Sequence, residues 1–184
     1  MIALILAVSV AAPCNDALRG IGRFDFWRGN DAAGWSRSSE GNGVTRAVHT
    51  PTREGYSAGF QTYYGPGSLE TEVYLRRVHY ELRAMVGGGQ ADGQVGVVSI
   101  RVQDLTSERY LDASGAWVDG PADAVTHDHV GDFRAKVVPF DAEAPGRTLR
   151  VAVYSSDFGG PANCGPSLCP TGWVDDLLVC PTRP

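Results

Sequence analysis

Polar and apolar residues alternate along much of this chain with a period of two, the repeat of a half-buried strand whose successive side chains face opposite ways. Tyr80, Leu82, Ala84 and Val86 share one parity, and Glu81, Arg83 and Met85 take the other. β-Branched residues crowd 95–102 (Val97, Val98, Ile100, Val102), and Leu149, Val151 and Val153 alternate with Arg150, Ala152 and Tyr154. Further strands are expected at 44–49, 56–62, 72–75, 135–140 and 173–179. Turn-forming clusters separate them: Gly65-Pro66-Gly67, the glycines of 87–89 followed by Ala91-Asp92-Gly93, Ala113-Ser114-Gly115, and 143–146. No stretch carries an amphipathic helical repeat. About eight to ten short strands joined by turns, without helical crossovers, predict an all-β fold. Its antiparallel sheets pack as a β-sandwich, with a jelly roll as the natural architecture.

Residues 1–12 read MIALILAVSVAA, an uncharged apolar run too short to span a bilayer, which takes roughly 20 residues. Small residues close it, as a leader cleavage site requires, although the usual positively charged start is missing. We assign 1–13 to a secretory signal peptide and 14–184 to a single domain; the plain alternative is a buried first strand. Pro13 stands where a bacterial lipobox has Gly or Ala, which disfavours lipid attachment at Cys14. The expectation is a soluble mature chain that is secreted, periplasmic or held at the cell surface.

The four cysteines are even in number, which suits an oxidising compartment, and three pairings are possible. Cys164 and Cys169 flank a Gly165-Pro166 turn that closes naturally into a small loop, leaving Cys14 to meet Cys180. Four thiols without paired C-x-x-C knuckles argue against a zinc site. The composition, 184 residues with 43% hydrophobic and 20% charged, is that of a folded globular chain. Sixteen basic residues against 21 acidic ones give a net charge of −5, which leaves no electrostatic footprint for a nucleic-acid backbone.

Four segments appear in a telling order: Gly22-Arg23-Phe24-Asp25 with Gly34-Trp35, then 55–62, then Tyr80 to Ala84, and last Gly172-Trp173-Val174-Asp175-Asp176-Leu177-Leu178-Val179. In this order and spacing the chain resembles the carbohydrate-binding modules of the galactose-binding-domain-like jelly-roll class, of the type attached to xylanases and other glycanases. The resemblance implies a structural calcium between the first and last strands, held by Asp25 with Asp175 or Asp176. Calcium takes six to eight oxygen ligands; carbonyls of 15–22 would supply others. Asp at 25 replaces the usual Glu. The resemblance also places Trp35 and Trp173 in the core framework.

Sugar recognition uses an aromatic ring under the apolar face of a pyranose with hydrogen-bonding side chains around it. Tyr63, Tyr64, Tyr110 and Trp117 are the candidate platforms; Tyr63 and Tyr64 are consecutive, so at most one can serve a given sheet face. By parity Arg83, Arg101 and Arg150 all point outward. If their strands were adjacent, three guanidiniums would share one surface suited to an anionic or uronic-acid-bearing glycan. The plain alternative is a solvated face with Glu81 and Gln103 as partners. His127 and His129, two positions apart, form at most a partial metal site. No H-E-x-x-H, P-loop or dinucleotide motif occurs. Glu72, Glu81 and Asp104 are the only carboxylates we single out as a conceivable glycosidase pair. The expected function is non-catalytic binding of a polysaccharide or glycan on a sheet face or loop edge. The alternatives are an adhesion module that contacts protein partners and a small glycan-active enzyme.

Overall fold

The structure is a computed structural model that describes residues 14–29, 31–37, 44–47, 55–61, 67–91, 94–127, 130–155 and 171–183. A short 3-10 helix, η1 (Ile21–Arg23), precedes the strands, which begin with β1 (Trp27–Arg28), β2 (Asp31–Ala32), β3 (Ser36–Arg37), β4 (Val44–Ala47) and β5 (Ser57–Gln61). Next come β6 (Ser68–Leu75), β7 (His79–Gly88), β8 (Gln90–Ala91), β9 (Gln94–Val95), β10 (Val98–Asp104) and β11 (Tyr110–Leu111). The chain closes with β12 (Trp117–Val118), β13 (Val125–His127), β14 (Gly131–Asp141), β15 (Arg147–Tyr154) and β16 (Thr171–Pro181).

All recorded pairings are antiparallel. One sheet runs β12-β11-β10-β15-β6-β3, with β13 also on β10; the other runs β14-β7-β16-β5-β4. The two sheets form the expected jelly-roll sandwich. Its core is built by the predicted alternation: Leu82, Ala84 and Val86 of β7 and Val174 and Val179 of β16 are buried, as are Ile100 and Val102 of β10 and Leu149, Val151 and Val153 of β15.

The Asp-Asp pair in β16 breaks this alternation. Asp175 opposes Met85 and Leu178 opposes Arg83, so Asp176 and Leu177 share the place opposite Ala84. This bulge, with Asp176 at φ 45°, resets the phase so that Leu177 and Val179 both reach the core. Strand β5 accompanies β16 only from Thr171 to Val174. Beyond the bulge the N-terminal segment takes over. The Ala17 amide donates to the Val179 carbonyl (2.9 Å) and the Val179 amide to Asp16 Oδ1 (3.0 Å). Asp16 also accepts from the amides of Leu18 and Gly20, so one carboxylate fixes the whole turn. A Cys14–Cys180 disulfide closes the seam, as the cysteine spacing suggested. Cys164 and Cys169 lie outside the described residues, as do 1–13.

Phe24, stacked on Trp35 at 5.2 Å, seals the core beside this seam, and the Trp35 indole donates to the Ile21 carbonyl (3.0 Å). Trp35 is thus the framework residue expected. Trp173 is not: it faces outward from β16, half-buried, with its ring against Phe133 and over Gly87 and Gly89. The parity reset lies after it, so it stays on the outer side.

Candidate functional site

The outer face of the seven-stranded sheet gathers side chains that its strands place in cross-strand rows. Ser99 of β10 opposes Tyr154 of β15, Arg101 opposes Ala152, and Gln103 lies between Arg150 on one side and Tyr110 on the other. Arg101 sits at the centre. Its Nε donates to Asp123 Oδ1 (3.0 Å) and its Nη2 to the Tyr154 hydroxyl (2.6 Å), which in turn donates to Asp123 (2.6 Å). The guanidinium lies 4.8 Å from the Tyr154 ring centre and 6.0 Å from that of Tyr110. Burial first, and then the hydrogen bond to Asp123, push the Tyr154 phenol up to about 12. It therefore stays a donor throughout the neutral range. A guanidinium held between two phenol rings, with a carboxylate beside it, presents donors, an acceptor and ring faces together. Those are the elements that recognise a sugar's hydroxyl pairs and apolar face.

Of the residues singled out from the sequence, Arg101, Tyr110 and Arg150 lie on this face. Arg150 pairs with Glu72 of β6 across the strand, at 3.7 Å. Arg83 does not join them. Strand β7 belongs to the other sheet, where Arg83 bonds Glu81 through Nε (2.9 Å) and Nη2 (2.8 Å), so the three arginines share no surface. Trp117 is not a platform either. It opposes Leu111 on the inner side, meets Phe140 edge-on at 6.0 Å and donates its indole N–H to the Asp141 carbonyl (2.7 Å). Tyr63, Tyr64 and His129 lie outside the described residues. His127 is wholly buried on the core side of β13, beside Gly88. Tyr154 and Asp123 were missed. Tyr154 has the outward parity of β15, which could have found it; Asp123 sits between β12 and β13 and carries no such mark.

The three carboxylates weighed as a hydrolytic pair are scattered: Glu72 and Glu81 face outward from opposite sheets. Asp104 is fully buried, where its Oδ1 accepts from the amides of Thr106 (2.7 Å) and Ser107 (3.3 Å).

Of the calcium candidates, Asp175 and Asp176 lie at the terminal seam and Asp25 is near enough to act on both electrostatically. Asp175 is almost fully buried, and burial first, then the neighbouring Asp176 and Asp25 carboxylates, push it up to about 7 against a bond from the Asp176 amide. Asp176 is raised by burial too, with Arg23 opposing the shift. Asp25 lies tight against Gly55, where a Cβ would come within 2.5 Å of its Oδ1. Of the three carboxylates only Asp175 is buried; Asp176 is half-buried and Asp25 is exposed. Among the described residues no three His, Cys, Asp or Glu side chains already form a metal-binding group.

Neither protein-family models nor curated proteins give a match to this sequence. Solved structures do match the fold. TmCBM61, solved in complex with β-1,4-galactotriose, aligns over 91% of this chain and 99% of its own at 16% identity and a TM-score of 0.55. The CBM22-1 xylan-binding domain from Paenibacillus barcinonensis Xyn10C aligns over 95% and 99% at 12% identity, with a TM-score of 0.55. The enzymatically active domain of bacteriophage CBA120 tailspike protein 4 aligns at a TM-score of 0.56 and 11% identity, over 91% of this chain but 21% of its own. The fold is that of the jelly-roll carbohydrate-binding modules. Both modules align over nearly their whole length, so the likeness is to the complete sandwich. Among the described residues no helix is long and apolar enough to cross a membrane.

Proposed function

We propose that this chain is an exported, non-catalytic glycan-binding module whose site is the Arg101, Tyr110, Tyr154 and Asp123 cluster. The observation that carries the reading is the half-buried guanidinium within 6.0 Å of two phenol ring centres on the outer side of the sheet, in a sandwich shared with carbohydrate-binding modules. The charge of that face favours a neutral polysaccharide. Arg101 and Arg150 each already face a carboxylate, Asp123 and Glu72, so a uronic acid would meet an occupied guanidinium. Glu72, Glu81 and Asp104, the carboxylates weighed as a hydrolytic pair, lie apart from one another, which argues for binding without hydrolysis.

Affinity electrophoresis against xylan, β-1,4-galactan and mixed-linkage glucan tests this. One of these should retard the protein, and Arg101→Ala or Tyr110→Ala should weaken the effect by about tenfold, equivalent to about 1.4 kcal/mol. Folded protein that no neutral polysaccharide retards would overturn the reading in favour of a protein-contacting module.

The same reading includes a structural calcium held by Asp25, Asp175 and Asp176. Bound there, the ion would offset the burial of the Asp175 carboxylate and tie the terminal seam together. Protein loaded with calcium should melt several degrees higher than protein treated with a chelator. Equal melting temperatures, with loading measured by elemental analysis, would remove the ion from the account.

A further inference from the structure

A groove of about 700 Å³ is remote in chemistry from the sheet-face site. It lies at the terminal end of the sandwich, between the N-terminal segment and the end of β6. There β6 continues past Glu70, the last position at which β3 accompanies it. Arg19 lines one wall; Arg76 and Arg77, in the turn between β6 and β7, line the other. Arg83, Arg101, Arg147 and Arg150 all have a carboxylate within ion-pair distance. Among the described residues Arg19, Arg76 and Arg77 have none. Two acidic side chains touch the groove, and both are engaged: Asp16 accepts three backbone amides, and Glu72 faces Arg150.

The backbone of both walls is anchored. The hydroxyl of buried Tyr80 accepts the amides of Arg76 and Arg77, each at 2.9 Å, which pins the turn that carries the two guanidiniums. The opposite wall is pinned by Asp16 and the terminal disulfide. Tyr74, also in the lining, is 58% exposed. A smaller recess of about 200 Å³ continues past Arg19 to Phe26, which is 76% exposed. Two exposed aromatic rings, Tyr74 and Phe26, thus stand beside guanidiniums that have no ion-pair partner among the described residues, in a protein of net charge −5.

We infer that this groove is a second glycan site, specific for an anionic polysaccharide. Carboxylate or sulfate groups would engage Arg19, Arg76 and Arg77, and a sugar ring would stack on Tyr74. A flat ring beside the cations favours a charged sugar over a bare anion, which has no use for an aromatic face. This site is independent of the neutral-glycan reading of the sheet face.

The test is affinity electrophoresis of the full chain against polygalacturonate, alginate and carrageenan at low and high salt, with polyphosphate as a competitor. The charge-reversal variant Arg76→Glu with Arg77→Glu is compared with Tyr74→Ala and Arg101→Ala, each with its melting temperature recorded. Retardation by at least one acidic polysaccharide is expected. It should fall with salt and drop about tenfold in the charge-reversal variant. Tyr74→Ala, which leaves every charge in place, should weaken it severalfold, and Arg101→Ala should leave it unchanged while weakening retardation by a neutral polysaccharide about tenfold. Three results would each overturn the proposal: no retardation by any acidic polysaccharide, a loss that follows Arg101→Ala alone, or full insensitivity to Tyr74→Ala with complete displacement by polyphosphate. The last would mean a general anion patch. Failure of the neutral arm alone would strike the sheet-face reading and leave this one standing.

Discussion

Gly22→Ala is expected to be among the most damaging single substitutions in this protein. A Cβ at position 22 would lie 1.8 Å from the Leu177 carbonyl oxygen and 2.8 Å from its carbon, both backbone atoms that no rotamer change can move aside. Helix η1 would have to lift off β16 immediately beside the bulge at Asp176. The expected cost is at the upper end of overpacking penalties, about 3 kcal/mol, or a fall in melting temperature of about 10 °C for a chain of this size. Gly20→Ala is the control. Gly20 has φ 84° but nothing within 4 Å, so an alanine there meets only backbone strain, about 1 kcal/mol. If the two variants melt within a degree or so of one another, close packing at Gly22 does not hold the seam.

The chain wrote some of this plainly and hid the rest, for physical reasons that differ from residue to residue. Period-two alternation is a local property, so it disclosed the outward parity of Arg101, Arg150 and Arg83 alike. Which sheet a strand joins is a property of the whole topology. Strands β10 and β15 are neighbours and β7 is not, so one inference held for two arginines and failed for the third. Trp117 failed for another reason. Its strand has two residues, too few to display a parity, and the indole reaches back to the Asp141 carbonyl. Asp123 lies 22 positions from its partner Arg101 and could not be found by any local pattern. The Asp-Asp pair was visible as a motif, but the bulge it forms inverts the parity of everything after it. Counting from Val174 therefore misassigns Leu177 and Val179.

The terminal disulfide is expected to have the other large effect. Cys14 and Cys180 are separated by 166 positions, so the cross-link closes nearly the whole described chain into one loop. Constraining a loop of that length removes unfolded-state entropy equivalent to roughly 5 kcal/mol at most, and engineered cases commonly deliver less. Cys14→Ser should therefore lower the melting temperature by about 10 °C under oxidising conditions. Reducing agent should do the same to the unmodified protein and nothing further at this bond in the variant. Cys180→Ser should be worse than Cys14→Ser, because Cys180 is buried and a hydroxyl there needs a partner the thiol did not. Identical melting of oxidised protein and Cys14→Ser would show that the bond adds nothing to the seam. In the folded state the segment keeps other anchors: Asp16 with its three amides, and Ala17 on Val179. Loss of the bond should therefore loosen the seam without abolishing it. Since that segment forms one wall of the arginine groove and no part of the sheet face, reduction well below the melting point should weaken acidic-glycan retardation while neutral-glycan retardation stays constant. Equal weakening of both would mean that the two sites share one cooperative unit with the termini.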